Sequence, residues 1–266
     1  MPLTSKDLDD LRAARVLLEN PGLAAKISDV VGSPLERGFA MLPKRWSDAV
    51  NDATRRAIAT SLDVALRTLD AAAAGAAPSP SNRWHKIAAG TAGAAGGAFG
   101  LAALAIELPL STTIMLRSIA DIARSEGEDL ASAEARLQCV QVLALGGRSG
   151  KDDAAEAGYF AARAAMARAV SDAARHFAQR GALHKGAPAI VQLIAQVASR
   201  FSINVSQKVA AQAVPVVGAI GGAIINTLFI DHFQDMARGH FVVRRLERRY
   251  GAEAVEKVYK EFGASD

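Results

Sequence analysis

The chain has 266 residues, a mass of 27.7 kDa and a formal net charge of +4, and half of its residues are hydrophobic while only 5% are aromatic. Its 57 alanines and the scarcity of alternating β-branched runs exclude an all-β fold, and its apolar fraction excludes global disorder. A single cysteine, Cys139, excludes an intramolecular disulfide framework or a Cys-rich zinc module and suits a reducing compartment.

Residues 1–20 mix Ser5, Lys6, Asp7, Asp9 and Asp10 and lack the apolar core of a secretory signal, so a chain that is not secreted is expected. Ser5 is expected to cap a short helix carrying Leu8, Leu11 and Leu18, which Pro21-Gly22 stops. Residues 1–42 read as an N-terminal helical extension. From Lys44 to Ala74, Trp46, Val50, Ala53, Ala57, Leu62, Leu66 and Leu69 recur at helical spacing and predict a long amphipathic helix. Residues 71–82 (AAAAGAAPSPSN) read as a flexible loop. An uncharged stretch, Ile87 to Ile106, follows, and Glu107 and Pro109 are expected to interrupt it before a helix over 110–125. Helices are further predicted over 131–145, 152–179 and 188–208, with loops at 146–153 and 181–188. A second uncharged stretch, Val209 to Ile230, leads into a basic helix that ends near Tyr250-Gly251, and a short helix over 253–262 closes the chain.

An internal similarity organises this list. Residues 93–98 read GAAGGA and residues 218–223 read GAIGGA. Further along, Glu107 matches Asp231, Arg124 matches Arg248, Gly127 matches Gly251 and Asp129 matches Glu253. The ordered run suggests a duplicated unit, near 87–129 and 209–253, with the copies packed together. The expected fold is therefore all-α: one domain, 1–266, a helical bundle around two pseudo-repeated glycine-rich apolar helices. Small-xxx-small spacing at Gly93, Gly97, Gly218 and Gly222 would let those helices approach closely.

Length alone would let each uncharged stretch cross a membrane. Residues 87–106 hold nine alanines and five glycines but only five large apolar side chains, which gives a weak drive to insert. The second stretch carries Gln212, Pro215 and Asn226. Shallow embedding and burial as central helices of a soluble bundle both fit this composition.

The segment PVVGAIGGAIINTLFIDHFQDMARGHFVVRRLERRYG, residues 215–251, resembles the C-terminal signature of the EcsC protein family. GTAGAAGGAFG with ELPLSTTIMLRSIADIA, within residues 90–123, resembles that family's first glycine-rich region. The similarity spans roughly residues 43–262. The family often has an aromatic residue before the glycine that closes the first repeat; here the pair is Glu126-Gly127. The resemblance implies a bacterial, membrane-associated helical protein, linked by family naming to ABC transport, with no assigned reaction. The matching positions are Glu107, Pro109, Arg117, Pro215, Gly218, Asn226, Asp231, Arg244 and Gly251.

Candidate chemistry is sparse. His232, Asp235 and His240 have metal-ligand character and share a broad helical face, though without an HExxH motif. Glu107, Asp231 and His232, with His240, would form the site of a metal- or carboxylate-dependent hydrolase acting on a lipid or envelope substrate. No cofactor is otherwise expected. Asn226, inside an apolar run, must find a hydrogen bond if buried, and the Glu107 region is a natural partner. Arg244, Arg245, Arg248 and Arg249 line one side of the last long helix, either as a solvated face or as contacts to anionic headgroups. Neither GxxxxGK[ST] nor GxSxG is present, and basic residues do not alternate with aromatics as nucleic-acid binding would ask. The partner expected is an anionic membrane surface or a membrane protein, met by a cytoplasmic chain that is peripheral to, or shallowly embedded in, the inner membrane.

Overall fold

The computed structural model describes residues 2–19, 22–31, 35–40, 42, 45–72, 101–146, 158–180, 187–213 and 218–263, and every regular element among them is an α-helix. In chain order these are α1 (Ser5–Glu19), α2 (Leu23–Val31), α3 (Leu35–Ala40), α4 (Trp46–Ala72) and α5 (Leu101–Ser125). They continue with α6 (Ala133–Leu145), α7 (Gly158–Arg180), α8 (Pro188–Gln212), α9 (Gly218–Tyr250) and α10 (Ala252–Gly263). The all-α expectation holds.

Helix α9 is the axis of the bundle, contacted by α1, α2, α5, α6, α8 and α10. A helix surrounded in this way must be apolar on more than one face. Phe229, Phe233, Ala237, Phe241 and Leu246 of α9 are accordingly all fully buried. Phe201 of α8 packs on Phe229 and Phe233 at centroid distances of 5.8 and 5.3 Å and forms an aromatic cluster at the α8–α9 contact. Helix α4 covers α5 and α8. Helix α6 is buried from Ala135 to Leu145, polar residues included, so its side chains need internal partners. Arg136 Nε donates to the Leu130 carbonyl at 2.6 Å, and Gln141 Nε2 to that of Arg163 at 3.3 Å.

Helices α5 and α9 run side by side in the same direction. Gln234 Nε2 donates to Ser118 Oγ at 2.8 Å near their middles, and Arg245 reaches Glu126 at 2.5 Å near their ends. Each is closed by a glycine in the left-handed region, Gly127 at φ 79° and Gly251 at φ 89°, a conformation that a side chain would strain.

Several local expectations are corrected. The N-terminal cap is Thr4, not Ser5: Thr4 Oγ1 accepts the Asp7 N–H at 3.3 Å and its hydroxyl donates to Asp7 Oδ2 at 2.6 Å. Helix α5 runs through Pro109 instead of starting after it. A proline there removes one helical hydrogen bond, but its own carbonyl accepts from Thr113 Oγ1 at 2.8 Å and from Ser61 Oγ of α4 at 3.1 Å. Residues 209–230 are not one helix: α8 extends to Gln212 and α9 begins at Gly218, with Pro215 between them in sequence. Gly93, Gly97, Pro215, residues 73–82 of the proposed loop and residues 87–100 of the first uncharged stretch lie outside the described residues.

Among the described glycines, two that lie outside the matched GAAGGA and GAIGGA runs bring helices close together. A Cβ on Gly38 of α3 would stand 2.0 Å from the Ala210 carbonyl oxygen of α8, and one on Gly239 of α9 would stand 2.6 Å from Leu18 Cγ of α1. Gly222 is buried. No helix among the described residues is long and apolar enough to cross a membrane.

Candidate functional site

Lys208 lies on the stripe of α8 that carries Val197, Phe201 and Val205, and like them it is fully buried. An ammonium cannot stay in an apolar interior unpaired. Its Nζ donates to Glu107 Oε1 of α5, and to Asn226 Oδ1 of α9 at 2.7 Å, and stands 5.1 Å from the centroid of the Phe229 ring. Asn226 is fully buried and Glu107 is 6% exposed, so all three polar groups share one dry centre. Desolvation pulls the Lys208 ammonium below its ordinary pKa, and the Glu107 carboxylate works against that shift. One cation thereby ties together three helices, two of which belong to the suspected repeat.

This lock brings together two of the residues singled out in sequence, Glu107 and Asn226, through a third that was not. Lys208 was legible in one respect: it falls in register with Val197, Phe201 and Val205, on the face that a solvated lysine would avoid. Arg117, one of the positions matched by family resemblance, is exposed. The lock sits about one turn from the end of α8 and about two turns from the starts of α5 and α9. Within three residues of Glu107 and Asn226 in sequence stand two exposed large apolar side chains, Leu110 at 52% and Ile224 at 43%.

The histidines and their neighbours go elsewhere. His232, 3% exposed, has Nε2 at 3.0 Å from the Gly146 carbonyl, which lets it donate there and hold the end of α6. His240 is fully buried, with Nδ1 at 2.8 Å from the Tyr159 hydroxyl and Nε2 at 3.2 Å from Gln138 Oε1. The Gln138 oxygen can only accept, so Nε2 carries the proton and the tyrosine donates to Nδ1. Desolvation, then the positive charges of Arg163 and Arg244, hold His240 well below the usual histidine range and keep it neutral. Asp235 pairs with Arg238 at 2.9 Å and Lys26 at 3.4 Å. The polar atoms of His232, Asp235 and His240 thus face different partners, and no cluster of three potential metal ligands occurs among the described residues. Asp231 is part-buried next to His232. Cys139 is buried, and desolvation lifts its thiol to about 12, away from the reactive thiolate form.

The arginine stripe is engaged within the chain. Arg244 Nε donates to Glu128 at 2.8 Å, and Arg248 binds the same carboxylate, whose side chain is 4% exposed. Arg245 bridges Glu126 at 2.5 Å and Asp10 of α1 at 2.7 Å. Arg249 reaches Asp7 of α1 at 3.1 Å, where the Tyr250 hydroxyl also donates at 2.6 Å. The hydrogen bonds from Thr4 and Tyr250 hold the Asp7 carboxyl below the ordinary range. The stripe therefore clamps α1 and the α5–α6 connection onto α9, a use that pairing over more than 110 positions of sequence hid.

The model of the EcsC protein family matches residues 6–246. The match takes in the N-terminal helices read from sequence as an extension, in keeping with the packing of α1 on α9. No curated protein and no solved structure matches the chain.

Proposed function

We propose, from the premise that the chain belongs to the EcsC protein family, that it is an accessory or scaffold protein of a bacterial cytoplasm, docking shallowly on the inner membrane and acting through contact instead of turnover. The observation that carries this reading is the exposure of two large apolar side chains near the starts of α5 and α9. Leu110 and Ile224 are exposed there, within three residues of Glu107 and Asn226, and the two uncharged stretches of the sequence run into the same helix starts. Apolar side chains held on helices that a buried polar lock ties together can enter the headgroup region without unfolding those helices. A duplicated origin for α5 and α9 belongs to the same reading, supported by their parallel course and by the matched closing glycines. A link to transport or envelope processes rests on family resemblance. The hydrolase alternative gains no support, because its candidate side chains hydrogen-bond to different partners.

Fractionation of the full chain tests the reading. The protein should pellet with membranes, resist a salt wash and be released by carbonate or detergent. The double variant Leu110→Asp/Ile224→Asp should move to the soluble fraction with unchanged helical circular dichroism. Recovery of the unmodified chain in the soluble fraction, with no vesicle binding at low salt, would refute it.

A further inference from the structure

A cleft of about 280 Å³ opens between α4 and α8, lined by Asn51, Arg55, Ala198, Ser199 and Ser202. We propose that it binds a small phosphate ester, with Arg55 and Asn51 gripping the phosphate and Ser199 and Ser202 receiving the hydroxyl groups beside it.

The division of labour follows from the hydrogen bonds already made. Asn51 and Arg55 are one turn apart on α4 and face the cleft together. Neither the amide nor the guanidinium is engaged by another side chain among the described residues, so both keep their donors for a ligand. A guanidinium fork matches two phosphate oxygens at once, which a lone ammonium cannot do. The serines are different. Ser199 Oγ donates to the Gln196 carbonyl at 2.9 Å and Ser202 Oγ to the Ser199 carbonyl at 3.0 Å. With their protons committed to the helix, both hydroxyls offer lone pairs to the cleft and accept from a ligand O–H instead of donating to an anion. Ala198, only 3% exposed, forms a small floor, and a larger residue there would fill the space.

Size and charge narrow the class. The volume equals the share of roughly nine waters in the liquid, suited to a phosphate carrying a short polyol. Asp48 and Asp52 lie on α4 near this face without lining the cleft, and they oppose a highly charged polyphosphate. A single phosphate on a hydroxylated carbon chain fits all of these terms, whether free in solution or presented as a lipid headgroup. This inference does not rest on the membrane reading.

Calorimetric titration of the full chain with sn-glycerol 3-phosphate, inorganic phosphate and triphosphate tests it, alongside sedimentation with phosphatidylcholine vesicles that do or do not contain phosphatidic acid. The glycerol ester should bind saturably and more tightly than either inorganic ion. Arg55→Gln, an exposed position, should weaken it at least tenfold, and Asn51→Leu by a smaller factor. Phosphatidic-acid vesicles displaced by the soluble ester would identify a headgroup as the source, and soluble binding without vesicle binding would identify a free ester. Absence of saturable binding, or binding unchanged by Arg55→Gln, overturns the proposal. Vesicle binding that survives Arg55→Gln, with no soluble ester bound, overturns the cleft and leaves the membrane reading standing.

Discussion

Replacing Lys208 by methionine removes the ammonium that Glu107 and Asn226 share while keeping most of the side-chain volume against Phe229. Glu107, 6% exposed, would then hold a carboxylate in an apolar setting with its cation gone. Breaking a buried pair from one side costs about 3–5 kcal/mol, chiefly the desolvation of the charge left behind. With a urea m-value of about 3 kcal/mol/M, a loss of about 4 kcal/mol lowers the midpoint by a little over 1 M. Removing both charges should be far milder. In Lys208→Met/Glu107→Leu no ion is stranded, and the residual cost comes from Asn226 Oδ1 losing the Lys208 donor, about 1–3 kcal/mol. The double variant should therefore be less destabilised than the Lys208→Met single, and well short of the sum of the two singles. Urea denaturation followed by far-UV circular dichroism on the four proteins measures the cycle. A single-variant cost below about 1 kcal/mol, or simple additivity, would show that the lysine is not the buried lock described above.

Other consequences can be read from the same packing. Gly38→Ala forces a methyl against the Ala210 carbonyl, 2.0 Å from the added carbon, and backbone cannot step aside cheaply, so denaturation should show a loss of about 1–3 kcal/mol or more; Gly22→Ala, with nothing within 4 Å, is the tolerated control. His240 is neutral when folded and takes a proton near pH 6.5 when unfolded, so the unfolded state binds more protons below that pH and stability falls on acidification from 6.5 toward the depressed native value. The slope attributable to this residue approaches about 1.4 kcal/mol per pH unit, and His240→Gln should flatten the measured profile between pH 6.5 and 5. Arg245→Glu/Arg249→Glu should loosen α1, seen as faster amide exchange over residues 5–19 with the core unaffected, and added salt should do the same to the unmodified chain, since these pairs are partly exposed. Because the Asp7 carboxyl is held below its unfolded value, α1 docking should be complete above about pH 4 and weaken as pH falls through the native value. Unchanged protection of α1 in the double variant would refute its clamping by arginine.

Much of the architecture was legible because it depends on neighbours in sequence. Helical spacing of Val50, Ala53, Ala57 and Leu62 marked α4 within two residues at each end, and Gly251 marked the end of α9 because a glycine is the cheap residue at a left-handed closing position. Asn226 in an apolar run announced a buried amide in need of a partner, and Glu107 was a reasonable place to look for it. The side of a helix on which a charge falls can be read in the same way, which is how Lys208 could have been found.

What periodicity cannot say is which distant surface a given face will meet. Four arginines on one side of α9 read equally as a solvated or a membrane-bound face, and only folding put Asp7 and Asp10 of α1, and Glu126 and Glu128 after α5, in front of them. The His232, Asp235 and His240 grouping failed for the converse reason: shared helical direction does not make a site when His232 turns to the Gly146 carbonyl, Asp235 to Lys26 of α2, and His240 to Gln138 of α6 and Tyr159 of α7. Gly38 and Gly239 carry no local signal, since their need for a missing side chain is set by Ala210 and Leu18 more than 150 positions away. Helix formation is governed by hydrogen bonds and side chains within about four residues, so the sequence determined where the helices are. Charge pairing and close packing are governed by distance in space, and only the tertiary structure decided which charges lock the core and which glycines bring helices together.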